Sequence, residues 1–247
     1  MRLAVFIPCM TDVYYPETGM NLVRLLRRLG HDPVYPLTQT CCGQPAFNSG
    51  YMREATRAAH HFLDVFARLK SDYIIAPAGS CTSMVKHHYG ALPLGAADRE
   101  RWESLRGRLF EFSEFLVDVL GVTGLGGRLA VRASLHHGCH LLRELGVERQ
   151  PLRLLEAVQD LELVELKRAK ECCGFGGTFA VKFPELSAAM ARDKLEEAVA
   201  ADVERLVVSD SSCQMQLQGV AGKLGLPVRV EHIVDILAEA LSLGEGA

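Results

Sequence analysis

The sequence predicts an α/β protein built from two copies of one βα unit, with parallel sheets and with cysteines at the carboxyl ends of the strands. The uncommon run Cys-Cys-Gly occurs twice in the 247 residues, at 41–43 and at 172–174. All eight cysteines pair off at nearly constant separations of 130 to 132 residues, which indicates an internal repeat. The pairs are Cys9 with Cys139, Cys41 with Cys172, Cys42 with Cys173, and Cys81 with Cys213.

The first copy alternates apolar runs with helical patterns. The run LAVFIPC at 3–9 is a predicted strand that leads to a cysteine, and a helical pattern and a second extended run follow before 41–43. A long amphipathic helix is expected over 49–69, and the apolar run YIIAPAGSC at 73–81 contains a third strand. Strands that alternate with helices are typical of βαβ units and a parallel sheet.

The second copy repeats this order. Predicted strands again lead to cysteines, at 132–139 and 205–213, with a long helix over 183–200 between them. A last strand and helix with a frayed end are expected over 228–247. The basic residues near and within the long helix are interpreted as a solvated face: Lys182, Arg192 and Lys194.

A connecting segment over 91–128 joins the two copies. It contains one predicted helix, at about 100–120, followed by glycine-rich turns. We therefore predict a first domain over 1–128, which holds the first repeat and the connecting helix. The second domain, over 129–247, holds the second repeat and the C-terminal helix.

The cysteines of each copy are expected to meet at one edge of a sheet. The carboxyl ends of parallel strands lie at the same edge, and ligands bind there. Helix N-termini at that edge favour thiolate over thiol. Two adjacent cysteines can face one centre only if the backbone turns sharply, and Gly43 and Gly174 permit this turn. The same glycines let a bulky inorganic cofactor lie close to the main chain.

Two sets of four cysteines indicate metal binding or redox chemistry rather than a disulfide framework, because thiols stay reduced in the cytoplasm. Tetrahedral zinc is one possibility for each set. An iron–sulfur cluster is the other, and it is favoured because the Cys-x-x-Cys hairpins of structural zinc sites are absent. A strained vicinal disulfide is the weakest alternative. A histidine ligand is a further possibility near Cys139, where His136, His137 and His140 stand, and His140 is the preferred candidate.

Composition excludes several classes of function. The formal charge of −3 provides no basic surface for a nucleic acid. No apolar run approaches the length of a membrane span, and the N-terminal run is too short for the core of a signal peptide. We therefore expect a cytoplasmic protein without a transmembrane segment.

The motifs PCMTDVYYPETG, QTCCGQPAFNSGY, APAGSC and CCGFGGTFAVKFPE resemble the cysteine-rich CCG family. This family includes subunits of heterodisulfide reductase and glycolate oxidase and the lactate-utilisation proteins, to which the similarity extends over essentially the whole chain. The resemblance implies an oxidoreductase subunit that carries iron–sulfur clusters of the [4Fe–4S] kind and helps to oxidise L-lactate. It also implies two partner proteins, at least one with ferredoxin-type clusters. The implied ligands are Cys9, Cys41, Cys42 and Cys81 in one centre and Cys139, Cys172, Cys173 and Cys213 in the other.

The chain departs from the heterodisulfide reductase pattern at the end of each motif. A fifth cysteine is expected there, but Met84 and Gln216 occupy the two positions. The departure favours four-thiolate coordination or a labile cluster, and some relatives carry zinc in one half. A zinc-binding scaffold and a thiol–disulfide reductase that acts through the paired cysteines are the alternative functions.

Overall fold

The computed structural model describes residues 1–243 and contains two four-stranded parallel sheets. The elements of the first unit are β1 (Arg2–Val5), α1 (Cys9–Tyr14), α2 (Pro16–Arg28), β2 (Asp32–Val34), α3 (Gln44–Asn48), α4 (Met52–Ala67), β3 (Tyr73–Ala76), α5 (Gly79–Lys86), α6 (Ala96–Arg106), β4 (Leu109–Glu111) and α7 (Phe112–Glu114). Those of the second unit are β5 (Arg128–Leu135), α8 (Cys139–Arg143), α9 (Arg149–Glu156), β6 (Gln159–Leu163), α10 (Thr178–Lys182), α11 (Pro184–Ala200), β7 (Arg205–Val208), α12 (Ser211–Leu224), β8 (Arg229–His232) and α13 (Ile233–Ala240).

The two sheets have the same strand order. The first is β2-β1-β3-β4 and the second is β6-β5-β7-β8, and every pairing is parallel. Each unit therefore places its first and third strands at the centre, and each of these strands leads to one cysteine, whereas the cysteine pair follows the edge strand β2 or β6. The predicted fold class, an internally duplicated α/β protein with parallel sheets, is confirmed.

The hydrogen bonds of the two units allow positions to be matched one by one. The Phe6 N–H donates to Ile75 O at 2.9 Å, and the His136 N–H donates to Val207 O at 2.8 Å, so Phe6 and His136 are equivalent. In the long helices, every buried residue of α4 has a buried counterpart in α11 that lies 132 residues later. Phe62 is thereby equivalent to Lys194.

The prediction of one helix over about 100–120 is wrong in its extent. Helix α6 ends at Arg106, and a fourth strand, β4, then pairs with β3. The chain turns at Glu111, whose carboxyl group accepts hydrogen bonds from the Ser113 and Glu114 N–H groups and caps α7. A single π-helical turn over Phe115–Val119 follows. The three-residue strand forms because Leu109 is buried against the sheet, which outweighs the helical pattern of the segment.

The two units share a hydrophobic core. Strands β1 and β5 and helices α2 and α13 bury one continuous cluster of apolar side chains, and each unit has a further cluster on the other face of its sheet. Asp235 of α13 ties α2 to it by accepting hydrogen bonds from Thr18 Oγ1 at 2.6 Å and Asn21 Nδ2 at 2.9 Å. Because the two units share this core, the boundary between two domains near residue 128 stays a prediction.

The expected last strand and helix are present as β8 and α13, and the prediction of a frayed end falls on residues 244–247, outside the described part of the chain. Within residues 1–243, no helix combines the length and the apolar character that crossing a membrane requires.

Candidate metal centres

A cavity of about 330 Å³ lies between the two units, and all eight cysteines line it. The cavity exists because helices from each unit cross over to the other: α5 packs on α8, and α1 packs on α12. Thr11 Oγ1 and Ser211 Oγ lie 2.8 Å apart at one crossing. At the equivalent crossing Leu141 packs directly on Gly79. The sequence predicted that each cysteine set converges, but not that both sets open on one space.

The first set consists of four thiols in mutual contact. Cys9 is the first residue of α1, Cys81 lies in the first turn of α5, and Cys41 and Cys42 precede α3. Cys42 Sγ lies 3.2 Å from Cys81 Sγ, and the Cys41 thiol contacts both Cys9 and Cys42. The cysteines are therefore not on the strands themselves but in the turns that follow them.

The second set repeats this arrangement. Cys139 begins α8, Cys213 lies in the first turn of α12, and Cys172 and Cys173 stand in the loop after β6. Cys173 Sγ lies 3.1 Å from Cys213 Sγ, and Cys172 contacts Cys139 and Cys173. None of the eight cysteines forms a disulfide.

A glycine makes the turn after each cysteine pair. Gly43 has φ +86° and Gly174 has φ +89°, a left-handed conformation that side chains disfavour. The Gly43 N–H donates to Cys41 Sγ at 3.3 Å, and the Gly174 N–H donates to Cys172 Sγ at 3.4 Å. The turns match those argued from the sequence, whereas contact of these glycines with a cofactor stays a prediction.

In each set one thiol is strongly acidified by its neighbours. Hydrogen bonds from Cys42 and Cys9 lower the pKa of Cys41 to about 3, and the same contacts raise the pKa of both donors. Cys172 has its pKa lowered to about 2 by hydrogen bonds from Cys139 and Cys173. All four thiols of a set can become thiolates only when a bound cation replaces the shared protons, so metal binding releases protons.

The two residues that stand at the fifth-cysteine positions, Met84 and Gln216, make contacts outside the thiol sets. Met84 is fully buried in the aromatic core of the first unit. Gln216 Nε2 donates to Ser187 Oγ at 2.8 Å, and Ser187 Oγ in turn donates to the carbonyl oxygen of Gly174 at 2.7 Å. Each centre therefore has four thiols available, and Gln216 supports the glycine turn instead.

Two of the three histidines lie beside thiols of the second set, and the one placed against Cys173 and Cys213 is His136. Its ring lies with Cys173 and Cys213 in a group whose ligand atoms are all within 4.8 Å of one another. Burial lowers the pKa of His136 to about 3, so the ring is neutral and keeps a free lone pair. His140, the preferred candidate, also touches the set, because its Nδ1 lies 3.5 Å from Cys139 Sγ, and its Nε2 is directed at Gln44.

Two further polar residues near the centres were missed from the sequence. Lys194 is only 1% exposed and donates to the carbonyl oxygen of Arg168, so its interpretation as part of a solvated face is wrong. Asp210 lines the cavity and joins the units by accepting from the Ser80 N–H at 2.9 Å. The burial of Lys194 could have been predicted from the repeat, because Lys194 lies 132 residues after Phe62, an apolar residue of the first long helix.

Two four-thiol centres on a duplicated α/β scaffold define a class of cysteine-rich proteins. The profile of the CCG cysteine-rich domain matches residues 3–86 and 133–218, so each match contains one cysteine set. Lactate utilization protein A 1 of Bacillus mycoides (strain KBAB4) is 42% identical over 240 residues, which cover 97% of each chain. Lactate utilization protein A of Geobacillus kaustophilus (strain HTA426) is also 42% identical over 240 residues, or 96% of this chain and 98% of the relative. The chain belongs to the cysteine-rich CCG family that includes lactate utilization protein A.

A solved structure shares the fold. The crystal structure of a hypothetical protein from Helicobacter pylori matches 100% of this chain and 49% of its own length, with a TM-score of 0.68 and 8% identity. This likeness concerns the fold alone.

Proposed function

We propose that the chain is an iron–sulfur electron-transfer component of a multi-protein, cytoplasmic system that oxidises L-lactate to pyruvate. The observation that carries the proposal is that eight thiols form two sets of four, and both sets open on one cavity. The names of the relatives support the link to lactate and to a system of several components. We propose two partner proteins, at least one of which carries ferredoxin-type clusters.

The donor sets fit iron–sulfur centres. Each offers four thiols, two of them 3.1 or 3.2 Å apart, and in each the N–H of a glycine donates to a sulfur. Bound there, iron–sulfur centres would take up and release single electrons. The N–H donors Gly43 and Gly174 stabilise the thiolate form of the cysteines, and such hydrogen bonds to sulfur tune the reduction potential.

The cavity itself is poorly suited to bind lactate. Among the described residues that line it there is no lysine or arginine, whereas Asp210 adds a carboxylate to the thiols. An organic anion would therefore meet negative charge without a strong basic side chain to hold it. Oxidation of lactate to pyruvate yields two electrons and two protons, so we place that reaction on a partner and propose that the two centres here receive the electrons.

The second candidate is a zinc-binding scaffold. The position of His136 beside Cys173 and Cys213 favours it, because Cys₃His is a common ligand set of structural zinc. Zinc in the second centre alone would also be compatible with electron transfer through the first.

Metal and sulfide analysis of anaerobically purified protein separates the two candidates. We expect brown protein that contains iron and acid-labile sulfide. Replacement of Met84 by Leu serves as the matched control, because this buried side chain lies at a fifth-cysteine position without being a proposed ligand, and the iron content should not change. Colourless protein with stoichiometric zinc and no iron contradicts the proposal and favours the scaffold.

A further inference from the structure

His136 is a buried polar side chain without a hydrogen-bond partner. It is 1% exposed, and neither Nδ1 nor Nε2 has a partner of acceptable geometry. The carbonyl oxygen of Ala169 lies near the ring and accepts from the His137 N–H at 2.9 Å, but its geometry towards the ring nitrogens is not that of a hydrogen bond. A buried polar group left without a partner costs about 1–3 kcal/mol, so such a group calls for an explanation.

The equivalent position in the first unit carries no polar group. Phe6 stands there, and its ring packs on Phe62 with the ring centroids 5.0 Å apart. In the second unit this contacting pair is replaced by His136 and Lys194, and the two remain close enough for the Lys194 charge to act on the imidazole. The scaffold accepts an entirely apolar pair at these positions, so folding alone does not require the histidine.

The position of the ring suits a metal ligand. A ring nitrogen and the sulfurs of Cys173 and Cys213 lie within 4.8 Å of one another. A tetrahedral metal with bonds of about 2.3 Å to sulfur and about 2.0 Å to nitrogen holds its ligands about 3.5 Å apart. A shift of about 1 Å by the side chains therefore brings all three to one ion.

We propose that His136 is a nitrogen ligand of the metal in the second centre, so that this centre has mixed sulfur and nitrogen ligands while the first has thiolates alone. The inference rests on the proposed binding of metal by the cysteine sets. If the neutral imidazole takes the place of one of the four thiolates, the centre carries one negative charge fewer, and the buried Lys194 beside it adds positive charge. Both changes raise the reduction potential of the second centre above that of the first.

Pulsed electron paramagnetic resonance on ¹⁵N-histidine-labelled protein, purified anaerobically and chemically reduced so that the cluster is paramagnetic, tests this directly. Cys41→Ser serves as the background, because it is expected to leave only the second centre filled. We expect a coupling to a histidine nitrogen that disappears in His136→Phe, which introduces the residue found at the equivalent position of the first unit. The reduction potential of the second centre should also be lower in this variant. The coupling should persist in the control His140→Leu. His136→Leu replaces the phenylalanine variant if the larger ring prevents folding, with circular dichroism as the check.

The outcomes separate this inference from the proposed function. Iron and sulfide without a histidine coupling, or a coupling that survives in His136→Phe, overturn the assignment of His136 and leave the electron-transfer proposal standing. If the wild-type protein contains zinc and no iron, the electron-transfer proposal falls. The ligands can then be identified after exchange of the zinc for Co²⁺, whose absorption bands depend on the ligand atoms. Ligand-field bands that shift in His136→Phe then support the assignment, whereas unchanged bands overturn it. Protein without metal in the second set overturns the assignment of His136, and protein without metal in either set overturns both proposals.

Discussion

The two units bring four thiols together in the same way but surround them differently. In the first, the ring of Phe6 packs on Phe62 and Phe66 with centroids 5.0 and 5.6 Å away, and Tyr89 donates its hydroxyl to Cys42 O at 2.9 Å. In the second, a neutral imidazole and a buried lysine occupy the positions of Phe6 and Phe62. The duplication has kept the thiol geometry while the side chains behind it have diverged, so the two thiol sets have different electrostatic surroundings.

The largest effect that tests this comparison is the loss of one centre at a time. Cys172→Ser should remove the metal of the second set only, and Cys41→Ser that of the first only, because each thiol contacts cysteines of its own set. Iron and sulfide analysis of the anaerobic variants should show a partial loss in each and complete loss in the double variant. Complete loss from either single variant would mean that the two sets hold one shared centre.

A second test compares the two glycine turns. A Cβ on Gly174 would lie 2.4 Å from Ser187 O, whereas one on Gly43 would lie 3.2 Å from Ala55 O. Both residues have positive φ, which costs about 1–2 kcal/mol for alanine, and only Gly174→Ala adds a severe backbone clash. Urea unfolding should show a loss of about 1–2 kcal/mol for Gly43→Ala and about 3 kcal/mol or more for Gly174→Ala. Equal losses would contradict the difference in packing.

The third test uses pH. Glu111 and His232 end the fourth strands of the two sheets, both are buried, and both cap the following helix. Burial raises the pKa of Glu111 from 4.5 to about 8. At pH values between these two, the folded protein keeps a proton on Glu111 and the unfolded protein does not. The free energy of unfolding therefore falls as pH rises through this window. Burial lowers the pKa of His232 below 6.5, so its contribution is lost as pH falls below 6.5.

The direction of each effect is checked by measuring the free energy of unfolding of the wild type and of each variant at several pH values. In the difference between variant and wild type, the contributions of the other ionisable groups cancel. Glu111→Gln should gain stability relative to the wild type as pH rises from 4.5 to 8. His232→Asn should gain relative to the wild type as pH falls below 6.5. The same pH slope in variant and wild type would count against the buried ionisation at that position.

The smallest expected difference concerns the two helix crossings. Ser211→Ala removes the hydroxyl contact with Thr11, which is worth about 1 kcal/mol. Gly79→Ala places a methyl group 2.7 Å from Leu141 Cβ and should cost about 1–3 kcal/mol through overpacking. Thermal or urea unfolding of both variants measures which loses more stability. A larger loss for Ser211→Ala than for Gly79→Ala would contradict this expectation.

Much of the scaffold followed from the sequence because the repeat and the alternation of elements can be read from the order of residues alone. The constant separation of the cysteines gave the duplication, and the alternation of strands and helices gave the parallel sheets. Strand β4 was hidden because three residues show too little periodicity to be separated from the helix before them, and its pairing with β3 depends on distant residues.

The site was only partly predictable for a related reason. Convergence of four cysteines follows from the common edge of a parallel sheet, but the shared cavity depends on how helices of the two units cross. Adjacency to Cys139 drew attention to His140, whereas the ring placed against Cys173 and Cys213 is that of His136, at the end of the strand. Which of several neighbouring histidines faces Cys173 and Cys213 is fixed by strand register, and register is set by pairing with β7.

The central claim, that two unlike electron-accepting centres face one cavity, is tested most directly by a potentiometric titration of the anaerobic protein. We predict two separable one-electron steps, of which the one at higher potential is lost in Cys172→Ser and the one at lower potential in Cys41→Ser. Protein that accepts no electrons in this titration, or a single step that both variants abolish, would contradict the account.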